Sequence, residues 1–439
     1  MMMAGATVSP LVDWAQDDKL KNWAGNYTYS SSPLLQAGSM EEVRTLVKKY
    51  NRLKVLGTRH CFNHIADSKD HLISLAHLNK ISPIDILHHT VTVEAGVRYG
   101  ELATFLNDRG YALHNLASLP HISVVGGCAT ATHGSGVHNG NLSSAVRALE
   151  IVTAEGEIVQ LSRDKDKESF AGAVVHLGGL GVVTKITLAI EPTYQVSQYV
   201  YENLPMQQLE HHFEAIMSAG YSVSLFTDWR NGNINEVWIK SKAGDGKNWG
   251  KTPDFFGAKA ASRNLHPIKN ISAENCTPQM GVAGPWHERL PHFRMGFTPS
   301  SGKELQSEYF VPREKSYEAI RAVEKLHEKI SPHLLITEVR CIAADDLWMS
   351  PCHHRAGTTI HFTWAPDWPA VSKLLPLIEE QLAPFHARPH WGKLYTIPHR
   401  QIAALYEKLP AFQKLLTSFD PKGKFRNDYL DQVIWGTKS

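Results

Sequence analysis

A chain of 439 residues with 45 Lys and Arg against 43 Asp and Glu, a net charge of +2, has the balance of an ordinary soluble globular protein and the length of two domains. Hydrophobic residues make up 43% and charged residues 20%, the two signs are interspersed, and no basic block marks a nucleic-acid groove or a membrane surface. No apolar run reaches the roughly 20 residues that span a bilayer.

The opening MMMAGATVSPLVDW lacks a basic segment followed by an apolar one, so a cytoplasmic location is expected, with residues 1 to about 20 a loosely held leader. Cys61, Cys128, Cys276, Cys341 and Cys352 are odd in number and without a C-x-x-C pair, which argues against a disulfide framework and a zinc site. The 24 histidines invite a metal reading. The nearest zinc-protease look-alike is His287-Glu288-Arg289-Leu290-Pro291-His292. Its histidines are five apart and a proline interrupts the helix that would align them, so no metal is expected.

In chain order, Ser39-Met40-Glu41-Glu42 reads as a capping box that starts a helix with Val43, Leu46, Val47 and Tyr50 at helical spacing. Leu53 to Leu56 and Val91 to Ala95 read as strands, and Gly100 to Arg109 as a helix stopped by Gly110. Leu149 to Thr153 and Ile158 to Leu161 flank a hairpin turn. Gly178 to Val183 precede a strand over Thr184 to Ile190, which Glu191-Pro192 closes. From about Tyr194 the segments become longer, more aromatic and richer in histidine, which predicts a second domain. A helix is expected near Gln401 to Leu409 in a basic tail. The fold class is therefore α+β, and neither G-x-G-x-x-G nor G-x-x-x-x-G-K-[ST] is present to support a Rossmann or P-loop reading.

Two stretches stand out. Ala117 to Gly136, ASLPHISVVGGCATATHGSG, is almost uncharged and crowded with small residues, so its backbone can lie close to a large ligand and offer N–H groups to phosphate oxygens. Val55 to His64, VLGTRHCFNH, turns at Gly57 and presents His60. The pair reads as one cofactor cradle.

A second pattern lies further on. In LLITEVRCI, Glu338 and Arg340 are two apart, and in IHFTW so are His361 and Thr363, so on strands each pair projects from one face. The pattern alone favours a solvated face with a cross-strand ion pair.

VLGTRHCFNHIAD together with ASLPHISVVGGCATATHGSGVHNG resembles the FAD-binding fold of the vanillyl-alcohol oxidase superfamily, and within it the alditol oxidases. NWAGN (22–26), SLFTDWR (224–230), GPWHERLPHF (284–293), HFTW (361–364) and ARPHWGK (387–393) extend the resemblance over nearly the whole chain. It implies a two-domain PCMH-type fold, with residues 1–195 binding FAD, 196–393 forming a substrate domain on an antiparallel sheet flanked by helices, and 394–439 returning to the FAD domain.

It further implies FAD attached through His60. Ile122 stands where doubly linked relatives carry a Cys, so a single link is expected, with Gly57, Thr58, Arg59, Ser118, Ser123, Gly126, Gly127, Thr132, Gly136 and Val183 as FAD neighbours. Polyol would lie against Ser118, Glu338, Arg340, His361, Thr363 and Lys393. Cationic Arg340 and Lys393 would stabilise the developing alkoxide while hydride passes from carbon to flavin N5, with Glu338 completing the catalytic set. The implied activity is oxidation of the terminal hydroxyl of xylitol or sorbitol to the aldose by a monomer, with oxygen reduced to hydrogen peroxide. His390-Trp391-Gly392-Lys393 also fits aldonolactone oxidases and dehydrogenases, the rival reading.

Overall fold

The structure of the chain, a computed structural model, describes residues 20–31, 33–246, 249, 252–294 and 304–437. The leader expected over residues 1–20 falls, but for Leu20, outside the described residues. Ser39 caps helix Met40–Lys49, its hydroxyl accepting from Glu42 N while the Glu42 carboxylate reaches back to Gly38 N. Val43 and Val47 of that helix share a small core with Ile73, Val152 and Phe425.

Lys54–Val55 pairs parallel with Leu72–Ser74, which pairs with Leu35–Gln36. A second sheet is antiparallel and runs Thr90–Glu94, Val182–Ala189, Val146–Val152, Ile158–Ser162. Its last two strands form the expected hairpin. Helix Tyr99–Asn107 buries Leu102 and Leu106 and ends ahead of Gly110, whose φ of +81° suits glycine.

Within the cradle stretch Val124–Ala129 winds into a short helix. Glycine is a poor helix former, but burial of Val124, Cys128 and Ala129 outweighs the propensity. The helix expected over Gln401 to Leu409 is instead two helices, His399–Leu405 and Leu409–Phe419, and Pro410 sits in the first turn of the second, where its missing N–H costs nothing.

The large sheet is built from β1 (Gln195–Pro205), β2 (Ser222–Thr227), β3 (Asn233–Lys242), β4 (Leu305–Pro312), β5 (Leu334–Ile342) and β6 (Gly357–Trp364). Their order is β1-β3-β2-β5-β6-β4 with every pairing antiparallel, and short strands extend both ends. Register sets the site. Glu338 of β5 lies opposite His361 of β6, and His361 opposite Glu308 of β4, so the three share one row of one face. Ile360, Phe362 and Trp364 alternate with them and are fully buried on the other face, where helix Trp368–Leu382 contributes Val371, Leu375 and Ile378 to the core.

Candidate active site

The sheet face gathers its charges around a residue that sequence reasoning missed. Glu308 is fully buried; its Oε1 accepts from Arg340 Nη2 at 3.1 Å and its Oε2 from Lys393 Nζ at 2.6 Å. His133 Nε2 lies 3.1 Å from the same Oε1. Burial works to raise the Glu308 pKa, yet Lys393, His133 and Arg340 together hold it well below the usual carboxylate range. Lys393 is pulled down by burial, with Glu308 pulling the other way.

Glu338 sits beside this cluster. Its Oε1 accepts from His292 Nε2 at 2.7 Å, while its Oε2 lies 3.5 Å from Arg340 Nε and 4.0 Å from His361 Nδ1. Burial opposes ionisation, but Arg340 and His292 keep Glu338 ionised. His361 is driven well below its ordinary value by burial and Lys393, so it is neutral at pH 7. Among the described residues neither of its ring nitrogens has a hydrogen-bond partner. Two cations and two carboxylates therefore balance in a nearly dry pocket, beside an imidazole free to bond a ligand.

The structure brings the predicted wall to the predicted cradle. Arg340 Nη1 lies 3.5 Å from Ser118 Oγ, Gly136 N donates to Cys341 O at 2.8 Å, and Thr363 follows His361 on the same face. Phe62 N donates to Gly392 O at 2.8 Å, which ties the His60 turn to the segment carrying Lys393.

In the cradle, Ser123 N donates to Thr58 Oγ1 at 3.1 Å, so the two glycine-bearing stretches are joined directly. Gly136, at φ +138°, could not carry a side chain, because a Cβ there would lie 2.5 Å from Tyr221 O. That glycine lets the cradle backbone approach Tyr221, the residue ahead of β2. Thr132 accepts at its carbonyl from Leu142 N, and Val183 is buried in the core. Arg59 takes the left-handed conformation at φ +62° and donates to Lys21 O.

His60 decides whether a flavin fits. Its ring stacks on Trp23 with centroids 5.4 Å apart and 18° between planes. Both ring nitrogens are buried, and among the described residues neither makes a hydrogen bond of ordinary geometry. Burial, reinforced by His121 and opposed by the Thr58 backbone, lowers its pKa to about 4. A neutral imidazole with an uncommitted nitrogen is what attachment to the flavin ring needs, so the residues fit the group.

Two clusters of the described residues bring metal-ligand atoms together, His133/Glu308/His390 and His353/His354/Glu407. In the first, the Glu308 carboxylate is already shared by Arg340 and Lys393, and a metal ion there would lie close to both cations. In the look-alike motif His292 is committed to Glu338.

Glu308 stands in the run Leu305–Pro312, LQSEYFVP, as the one charged residue. The available signal was its parity: Glu308 and Phe310 share one face of the strand, and a lone acid within a run buried on both sides needs a cation.

A family profile described as an FAD binding domain matches residues 32–162, and one described as D-arabinono-1,4-lactone oxidase matches residues 298–433. The chain is 44% identical to an alditol oxidase from Streptomyces sp. over 94% of its length and 99% of that protein. It is 26% identical to L-gulonolactone oxidase of Bos taurus over 95% of its length and 98% of that protein. A crystal structure of cholesterol oxidase from B. sterolicum superposes with a TM-score of 0.77 at 14% identity, covering 95% of this chain and 96% of that one, which shows the shared fold. The chain belongs to the alditol oxidases, flavoenzymes of the vanillyl-alcohol-oxidase type.

Proposed function

We infer that the protein is an FAD-dependent alditol oxidase that converts the terminal primary hydroxyl of a polyol such as xylitol or sorbitol to the aldehyde, with oxygen as acceptor and hydrogen peroxide as product. The observation that carries it is the meeting of cradle and wall: Ser118 touches Arg340, and Arg340 and Lys393 share the buried carboxylate of Glu308. His60 would carry the flavin covalently, with Gly57, Thr58, Arg59, Ser118, Ser123, Gly126, Gly127, Thr132, Gly136 and Val183 around it. Residues 1–195 and 394–439 would form the FAD unit and residues 196–393 the substrate unit of a cytoplasmic monomer.

Bound FAD supplies the acceptor for the hydride and passes its electrons to oxygen. The chain's own residues manage charge. An alcohol is a very weak acid, so the hydroxyl must be stabilised as it loses its proton, and Arg340 and Lys393 supply two positive charges where little water screens them. Glu308 holds both in place and limits their separation. Neutral His361, with neither nitrogen bonded among the described residues, would hydrogen-bond the reacting hydroxyl. Glu338, Ser118 and Thr363 would bind the remaining hydroxyls and so fix the carbon that gives up hydride.

The test is the visible spectrum before and after anaerobic addition of xylitol. Bleaching of the yellow band that returns in air supports the reading; a band untouched by every polyol refutes it. The match of residues 298–433 to a lactone oxidase profile favours one alternative, oxidation of a sugar lactone, which bleaching by lactone alone would establish.

A further inference from the structure

Lys240 of β3 lies two hydrogen bonds behind Glu338, and nothing in the mechanism above uses it. It is about 1% exposed and donates to Leu290 O, to Pro291 O at 3.2 Å and to His292 Nδ1 at 3.2 Å. As an ammonium Lys240 has three hydrogens and no lone pair, so its three acceptors satisfy it and Nδ1 of His292 is the bare nitrogen. The proton of neutral His292 is then on Nε2, the atom 2.7 Å from Glu338 Oε1. Trp238 and Phe226 stand edge-on to the imidazole, with centroids 5.2 and 5.6 Å away, and hold the ring in this plane.

The consequence follows from hydrogen-bond polarity. If Nδ1 carried the proton, bare Nε2 would face the Glu338 carboxylate, and the carboxylate would have to turn away or take up a proton. We propose that Lys240 is a positioning residue for the polyol site: by donating to Nδ1 it fixes His292 in the Nε2–H form and so keeps Glu338 an oriented carboxylate. The inference rests on Glu338 binding substrate, as proposed above. Burial lowers the Lys240 pKa to about 7, against the pull of Glu338, so the tie is complete on the acid side of that value, where Lys240 is an ammonium.

The test uses the holoenzyme with ¹⁵N-labelled histidine, the His292 signals being assigned by their loss in His292→Gln. In the wild type, Nδ1 is expected to show the shift of an unprotonated ring nitrogen and Nε2 that of a protonated one. Lys240→Met is expected to reverse or mix them and to raise the polyol KM about tenfold with a smaller change in kcat, the loss of one charge-assisted hydrogen bond. His292→Gln keeps a donor at the Nε2 position that needs no tautomer control, so Lys240→Met should cost less than about threefold in that background. A wild-type His292 protonated at Nδ1 would overturn the proposal, as would an equal cost of Lys240→Met in both backgrounds. A wild type that no polyol reduces would defeat the substrate reading instead, and the nitrogen shifts would still decide the tautomer.

Discussion

The Asn63 side chain donates to the backbone carbonyl of Lys393 at 2.8 Å, across 330 residues of sequence, and to Trp391 O at the same distance. Three residues after the proposed flavin ligand, the chain thus grips the residue proposed to polarise the substrate. We predict that Asn63→Ala leaves the Trp391 and Lys393 carbonyls without this donor, costs about 1–3 kcal/mol of stability and slows flavin reduction by letting Lys393 shift. Stopped-flow reduction by xylitol and thermal melts measure the two effects, and wild-type reduction rates would show that the grip has no catalytic role.

Glu308→Gln tests the charge balance. The variant leaves Arg340 and Lys393 without their shared carboxylate, and breaking such a buried arrangement typically costs about 3–5 kcal/mol. Folded enzyme should be reduced at least about tenfold more slowly and should acquire affinity for sugar acids, whose carboxylate would replace the missing charge. Titration calorimetry with xylonate reads the second effect; equal binding to wild type and variant would count against it.

Lys393→Met removes one of the two cations while keeping the side-chain length. Flavin content should be unchanged and the anaerobic reduction rate should fall about 100-fold or more. Near-normal reduction would return Lys393 to a structural part.

His60→Ala should abolish covalent attachment, so that protein precipitated in acid is colourless while wild-type protein stays yellow. Colour retained by the precipitated variant would point to another attachment residue.

Stability should fall on acidification between pH 6.5 and 4. His176 and His292 are each lowered by burial to about 4, so the unfolded chain takes up their protons first as pH drops and the folded state loses ground until their own values are passed. His133 and His390 are lowered in the same direction. Glu236 and Asp345, raised by burial to about 7 and about 6, and Glu379, raised as well, act in the opposite sense but are outnumbered by the buried histidines. Melting temperature against pH reads the sign, and a flat profile over this range would contradict the burial of these imidazoles.

The polar wall was legible because a strand repeats every two residues: Glu338 with Arg340 and His361 with Thr363 declared their face without any contact map. Glu308 was not, because its partners Arg340 and Lys393 are 32 and 85 residues away, and only the β6–β4 register brings it into the row. Lys240 in Asn233–Lys242, NINEVWIKSK, reads as the polar member of a half-exposed strand. It is buried because the segment around Leu290 to His292 folds over it, and no local pattern announces that cover. The glycines at 126 and 127 were visible, but propensity alone hid their short helix.

Asn427 donates to the carbonyls of His64, Ile65 and Asp67, and Lys424 O accepts from Leu53 N, so the turn bearing His60 is latched by residues near the far end of the chain. The turn cannot be latched until Asn427 has been made, 363 residues after His64, which predicts that the cofactor is acquired only after that point. A nascent chain halted before residue 420 should take up no flavin, and colour in such a chain would show that the latch is dispensable.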